Sequence, residues 1–200
     1  MKFTRNTTYY PFPVYEFNLP AGHTCPFADV CKVVVDRKTG KMDRRGKGFR
    51  CYASASERFP AVREARWHNF DALKAGEPIT LPPKAKHVRI HGSGDFFSQA
   101  YFDEWLQVAR DNSDVHFWTF TKSIRFWVAR LDAIPPNLIL TASYGGFEDH
   151  LIEKYSLRSA RVYNKLCEVP EGMQVDIDDS LAMVPGPSFA LLDNFARQNE

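Results

Sequence analysis

Three of the four cysteines lie in one short, loop-like stretch of the sequence. Cys25 and Cys31 directly follow an extended apolar run, and nineteen residues separate Cys31 from Cys51. Thiolates on loops can converge on one soft metal centre, and cysteine is the usual ligand of iron–sulfur clusters. The type and position of these residues therefore predict a metal centre at Cys25, Cys31 and Cys51.

The number of thiolates decides what such a centre can do. Three thiolates hold a [4Fe–4S] cluster and leave one iron open to another ligand, whereas four saturate it. Cys167 is the alternative fourth ligand, although its flanking Leu166 and Val169 favour a structural thiol. A zinc site completed by His23 or Cys167 is a second interpretation, and inert buried thiols are a third.

Composition bounds the class of protein. The 200 residues are 44% hydrophobic and 25% charged, which suits one compact domain spanning residues 1–200. The net charge of +2 favours neither nucleic acid nor a membrane surface as a partner. Because no apolar run could span a bilayer and no signal peptide is evident, we expect a cytoplasmic protein, where thiols stay reduced.

Alternating strand and helix patterns must position the cysteines. The predicted strands are residues 14–19, 87–91, 115–120 and 138–143, with weaker ones at 160–163 and 173–176. Helical patterns follow Ser56, Ser98 and Ser123, each taken as a cap, and a short helix is predicted from Glu148 to Tyr155. This alternation predicts an α/β domain with a parallel sheet, either open or curved into a partial barrel.

Other candidate residues follow the ends of predicted strands. Gly92, Ser93, Gly94 and Asp95 close the second strand, where the glycines either permit a tight turn or let a ligand approach the backbone. Gly145 and Gly146 allow the same two readings after the fourth strand. His23 and His91 are structural or donate hydrogen bonds to a cluster. In a parallel sheet these segments share one edge with the cysteine loop.

Two charged segments have alternative readings. The basic insertion at residues 32–50, strongest at 37–50, is either a solvated loop or a contact for nucleic-acid or nucleotide phosphates. The acidic residues 176–179 are a turn and cap or, less simply, ligands for Mg²⁺. Walker loops, nucleophile elbows and zinc-protease motifs are absent, which argues against a hydrolase or kinase.

Three local sequences resemble radical-SAM proteins. Cys51-Tyr52-Ala53 is similar to the end of their cysteine motif, and residues 90–97 stand where they carry a glycine-rich turn. The third is residues 117–123, a strand with a polar end. The spacing of the first two cysteines, the insertion and the missing proline depart from that pattern. The resemblance implies a partial (β/α) barrel, a [4Fe–4S] cluster and S-adenosylmethionine seated by Gly92, Ser93, Gly94 and Asp95.

From about Phe17 to Leu192, including the tail at 178–192, the chain also resembles the phage and prophage "gene product eighty-eight" family. This resemblance implies a phage origin, and hence the host cytoplasm, but no substrate. Three functions stay open: a radical-SAM-type enzyme of unknown substrate, a non-enzymatic protein with a structural, redox or regulatory cluster, and a zinc-stabilised nucleic-acid-binding domain. The sequence does not predict an oligomeric state.

Overall fold

The computed structural model describes residues 1–45 and 51–193. The strands are β1 (Phe3–Asn6), β2 (Val14–Phe17), β3 (Val33–Val35), β4 (Met42–Arg44), β5 (His87–Ile90), β6 (His116–Thr121), β7 (Leu138–Ser143), β8 (Ser159–Tyr163), β9 (Val175–Asp176) and β10 (Phe189–Leu192). The helices are α1 (Tyr52–Ala55), α2 (Pro60–Lys74), α3 (Gln99–Asp111), α4 (Ile124–Val128) and α5 (Asp149–Lys154), with short 3-10 turns at Ser56–Arg58, Leu131–Ala133 and Leu166–Glu168.

Eight strands form one sheet in the order β1-β2-β5-β6-β7-β8-β10-β9. All neighbours pair parallel except β1, which forms an antiparallel hairpin with β2. The predicted α/β class with a mostly parallel sheet is therefore confirmed. The segments that follow β2, β5, β6 and β7 lie together at the carboxyl ends of these parallel strands, as the sequence predicted.

The two faces of the sheet bury different clusters. On the helical face, Phe17, Ile90 and Phe117 pack against Phe102 and Trp105 of α3. The other face has a smaller cluster around Trp118, which includes Tyr10, Val14, Met183 and Phe189. Because side chains alternate along a strand, Glu16, Arg89 and Trp118, which share one register, all lie on this second face.

The sheet is strongly curved. A flat sheet of eight strands would separate its edges by roughly 33 Å, given about 4.8 Å between neighbours. The Tyr9 hydroxyl nevertheless donates to the Ile177 carbonyl at 3.4 Å, and the Tyr10 hydroxyl donates to Asp179 Oδ2 at 3.0 Å. These contacts join the segments after β1 and β9, the two edge strands. The second face is therefore the concave face of the curved sheet.

Some predicted local details differ from the structure. Most of the insertion at 32–50, whose residues 37–50 had a solvated loop as one of their two readings, is the antiparallel hairpin of β3 and β4, while residues 46–50 lie outside the described residues. Ser98 caps α3 by accepting from Tyr101 N at 3.2 Å, as predicted. Ser56 and Ser123 are not side-chain caps, because α2 begins after Phe59 and the Ser123 hydroxyl donates to the Phe96 carbonyl. No helix in the described ranges is long and apolar enough to cross a membrane.

Candidate metal centre and adjoining cavity

The loop that carries Cys25 is held by tight contacts at its start. Gly22 has a φ of +74°, and a Cβ there would lie 1.6 Å from the Val33 carbonyl oxygen, so only glycine fits. Lys32 Nζ donates to the Gly22 carbonyl at 2.9 Å. The Gly22 amide in turn donates to Cys25 Sγ at 3.4 Å. The hairpin that begins at β3 therefore fixes the path of the first cysteine loop.

A buried ion pair connects this loop to the third cysteine. Glu57 is fully buried, and its Oε1 accepts from the Ala21 amide at 2.7 Å and from Arg66 Nη1 at 2.8 Å. The same Arg66 nitrogen donates to the Ala53 carbonyl at 2.8 Å. Because Ala53 is two residues after Cys51, the pair joins the loop before Cys25 to the helix after Cys51. Sequence reasoning missed this pair, since nothing local marks a buried partner nine residues away.

The three thiols lie close enough to influence one another. Burial raises the pKa of the Cys25 thiol well above its ordinary range, and the charges of Asp95, Cys51 and Cys31 add to the rise. Burial also raises the pKa of Cys51, again with a contribution from Cys31. All three are free and partly exposed. The structure thus brings together the residues that the sequence singled out, and without a metal it favours the protonated forms of Cys25 and Cys51.

The thiols and their neighbours do not form a site for a single metal ion within the described part of the chain. Among the residues that the structure describes, no group of three or more His, Cys, Asp or Glu could hold one metal ion. Cys167 is exposed on the 3-10 turn after β8 and does not line the cavity beside the thiols. His23 Nε2 makes a 3.0 Å hydrogen bond with the Val35 carbonyl, and the ring packs edge-on against Trp67. These contacts indicate a structural role for His23.

The glycine turn after β5 packs directly on the first cysteine loop. Ser93 and Leu19 exchange two hydrogen bonds, both 2.9 Å long. Gly94 has a φ of +88°, and a Cβ there would lie 2.6 Å from Leu19 Cβ and 2.7 Å from Thr24 Oγ1. The Gly92 carbonyl accepts from the Tyr52 hydroxyl at 3.1 Å. The turn therefore touches the segments around Cys25 and Cys51.

Asp95 joins that turn to the end of β6. Its Oδ1 accepts from the Thr121 hydroxyl at 2.6 Å and from the Phe96 amide at 2.8 Å, and its Oδ2 accepts from the Lys122 amide at 2.8 Å. Burial raises the pKa of Asp95, while these hydrogen bonds oppose the rise. Both carboxylate oxygens are thus used within the protein, so Asp95 positions the turn.

His91 faces the helices instead of the thiols. It has a φ of +63°, which is unusual for a residue with a side chain, and its Nε2 lies 2.8 Å from the Tyr101 hydroxyl. The ring also packs edge-on against Phe96. Burial lowers the pKa of His91 to about 3, so the ring is neutral. This arrangement favours the structural role that the sequence left open.

A cavity of about 460 Å³ opens on the concave face beside two of the thiols. Its lining combines aromatic, charged and apolar side chains from both edges and the centre of the sheet: Asn6, Tyr9, Tyr10, Glu16, Cys31, Cys51, Tyr52, Arg89, Phe120, Lys122, Ser143, Val162, Asp176, Ile177, Asp179, Leu191, Leu192 and Asp193. Sequence reasoning did not single out Glu16 or Arg89, and it included Lys122 only as part of the polar end of residues 117–123. A charged residue on the inward face of an otherwise apolar strand was the signal that could have found them.

Arg89 is the central cation of this cavity, and it is neutralised within the protein. Its Nη1 lies 2.9 Å from Asp179 Oδ2 and 3.2 Å from the Tyr10 hydroxyl. Its Nη2 donates to the Tyr52 hydroxyl at 3.4 Å, while its buried Nε has no partner within the described ranges. Arg89 therefore connects the strand centre with the segment after β9 and with the residue next to Cys51.

The two charged segments make contacts within the protein. Arg37, at the start of the basic segment, pairs with Asp71 at 2.6 Å and lies over the Trp67 ring. Asp176 accepts from the amides of Asp178 and Ala182, which agrees with the predicted turn. Contact with nucleic acid through 37–50 stays a prediction.

Fold and site together define a class: a curved, mostly parallel α/β domain with three free thiols and a polar cavity at one edge of its sheet. The chain belongs to the Gene product 88 family, whose model matches residues 2–197. It is 34% identical to the Gene 88 protein of Mycobacterium phage L5 and 37% identical to that of Mycobacterium phage D29, over 36% of this chain and 38% of each relative.

The matched region thus spans well under half the length of these curated relatives. No solved structure matches the chain. The predicted family is confirmed, and the two mycobacteriophage proteins agree with the predicted phage origin. The finer resemblance to radical-SAM proteins has no support from these comparisons.

Proposed function

We propose that this protein binds a [4Fe–4S] cluster through Cys25, Cys31 and Cys51, with one iron open towards the cavity. The observation that carries the proposal is the convergence of three free thiols whose charges affect one another at the edge of a parallel sheet. Cys31 and Cys51 also line the cavity, so a ligand bound there would be adjacent to the centre.

The donor set fits a cluster better than a single ion. Each thiolate of a cluster binds a different iron, so the sulfurs lie farther apart than the ligands of one zinc ion. A cluster is compatible with both observations on these thiols. They interact electrostatically, and the described ranges contain no group that could hold a single metal ion. Loading would displace the thiol protons that burial favours, so it should be easier at mildly alkaline pH.

The ligand that we propose for the open iron is S-adenosylmethionine. A reduced cluster would supply one electron to the bound S-adenosylmethionine, and this electron would cleave a carbon–sulfur bond of the sulfonium. In this chain the backbone of residues 92–94 would line the ligand's methionine end, and Asp95 would act by holding that turn against β6. Tyr52, whose hydroxyl donates to the Gly92 carbonyl, would connect the turn to α1, the helix that directly follows Cys51.

A non-enzymatic cluster is the second candidate, and one observation favours it. Both oxygens of Asp95 are already hydrogen-bonded within the protein, so this turn offers no free carboxylate to an amino group. The cluster would then have a structural, redox or regulatory role.

Anaerobic reconstitution with iron and sulfide tests the cluster. We expect about four irons per chain and absorbance near 400 nm, lost in Cys25→Ser, Cys31→Ser and Cys51→Ser and kept in Cys167→Ser. Zinc as the bound metal in anaerobically purified protein, or a cluster that depends on Cys167, would overturn three-thiolate ligation.

Adding S-adenosylmethionine to the loaded protein separates the two candidates. An altered electron paramagnetic resonance signal, and 5′-deoxyadenosine after addition of dithionite, support the radical-SAM proposal. A loaded cluster that gives neither supports the non-enzymatic one.

A further inference from the structure

Lys122 occupies an unusual place on the wall of the cavity. It directly follows β6, and strand alternation puts it on the same face as Phe120, which also lines the cavity. The β6–β7 register pairs Thr121 with Ala142, so the next pair along is Lys122 with Ser143. Lys122 Nζ donates to the Ser143 hydroxyl at 2.6 Å.

This lysine is buried and makes no salt bridge among the described residues, although its charge acts on the nearby Asp95 carboxyl, where it opposes the rise in pKa that burial causes. Only 8% of Lys122 is exposed. Within residues 1–45 and 51–193, no carboxylate oxygen lies within 4.0 Å of its Nζ. A buried ammonium without a salt bridge costs free energy, and Ser143 satisfies only one of its three protons.

We propose that Lys122 and Ser143 form a subsite for the oxyanion of a small molecule, a carboxylate or a phosphate group. The ammonium would neutralise the anion with its remaining protons. The Ser143 oxygen accepts from Lys122, which leaves the hydroxyl proton to donate to the same anion. The subsite goes beyond the proposed cluster and does not require it.

The rest of the cavity indicates what kind of molecule carries this anion. Arg89 is already paired with Asp179, so Lys122 is the cation of the described lining that is left for a ligand. Phe120, on the same strand face as Lys122, and Leu191 add apolar side chains to the cavity wall. A volume of about 460 Å³ suits a metabolite-sized molecule. The ligand is therefore a small amphiphile with an anionic end and an aromatic or aliphatic body.

Anion titration of the cluster-free protein tests the subsite. The probes are phenyl phosphate and phenylacetate, with sodium chloride at matched ionic strength, and the readouts are calorimetry and the melting temperature. We expect wild type to bind at least one probe, and Lys122→Met to weaken that binding about tenfold or more. The probe that binds more tightly distinguishes phosphate from carboxylate as the natural group.

Two variants make the test specific. Lys165→Met removes an exposed lysine that does not line the cavity, so probe binding should be unchanged. Lys122→Met without probe should melt at a higher temperature than wild type, because a buried charge that makes no salt bridge is gone. Absence of probe binding in wild type, or equal binding by Lys122→Met, overturns the proposal whether or not a cluster forms.

Discussion

Arg89 on β5 and Asp179 after β9 form an ion pair of 2.9 Å across the concave face of the sheet. Three strands lie between β5 and β10 in the sheet order, and β9 lies beyond β10. A contact between such distant strands is possible only because the sheet curves. Both residues line the cavity, so the pair joins two of its walls and keeps its central arginine neutralised.

Breaking this pair should destabilise the protein. Both side chains are mostly buried, with 13% and 12% exposed, so Asp179→Asn leaves the Arg89 charge buried without a counter-charge. We expect a loss of about 3 kcal/mol in the free energy of unfolding, measured by urea denaturation. Asp114→Asn, which breaks the exposed Lys86–Asp114 pair, is the control and should leave stability nearly unchanged. Equal effects of the two variants would contradict the role of Asp179 in the interior.

Glycine should be required at position 94 for two reasons. One is its positive φ, and the other is the close approach of the loop that carries Cys25. Gly94→Ala adds a Cβ that meets Leu19 and Thr24, whereas Gly76→Ala meets nothing within 4 Å at a similar φ of +80°. We expect Gly76→Ala to cost about 1–2 kcal/mol from φ alone, and Gly94→Ala to cost about 1–3 kcal/mol more. Thermal unfolding and cluster loading of both variants measure the difference, and similar losses would refute the close approach.

His91 should make the protein less stable in acid. Its pKa is about 3 when folded, against 6.5 for the free side chain, so between these values the unfolded chain binds a proton that the folded one does not. Stability is then lost as pH falls from about 6.5 towards 3, by up to about 1.4 kcal/mol per pH unit. His91→Asn tolerates the positive φ and removes this titration. Its unfolding free energy should fall less steeply with acid, and parallel curves would exclude His91.

The thiols should differ in reactivity when no metal is bound. Since burial raises the pKa of Cys25 and Cys51, iodoacetamide should modify them more slowly than the exposed Cys167 at about pH 7.5. Peptide mass spectrometry of timed samples measures each rate. Raising the pH should accelerate Cys25 and Cys51, with Cys25 reacting last. Cys25 reacting as fast as Cys167 would show that its thiolate is accessible.

The sequence by itself determined the local elements and one edge of the sheet. Apolar alternation located β2, β5, β6 and β7 within a few residues, because these strands are buried and their patterns are strong. It also indicated that the segments with Cys25, Gly94 and Gly146 would share an edge, since the ends of parallel strands must. Strands β1, β3, β4 and β10 were not predicted, and residues 189–192 of β10 lie in a long irregular tail.

Only the tertiary structure decided what surrounds the three thiols. The insertion of β10 between β8 and β9 depends on packing among distant segments, which no local pattern encodes. For the same reason the sequence showed neither the Glu57–Arg66 pair nor the Arg89–Asp179 pair. Residue types and spacing marked Cys25, Cys31 and Cys51 as candidates. Curvature of the sheet then placed Arg89 and Lys122 around one cavity beside them and left Cys167 outside it, because convergence in space is a property of the whole fold.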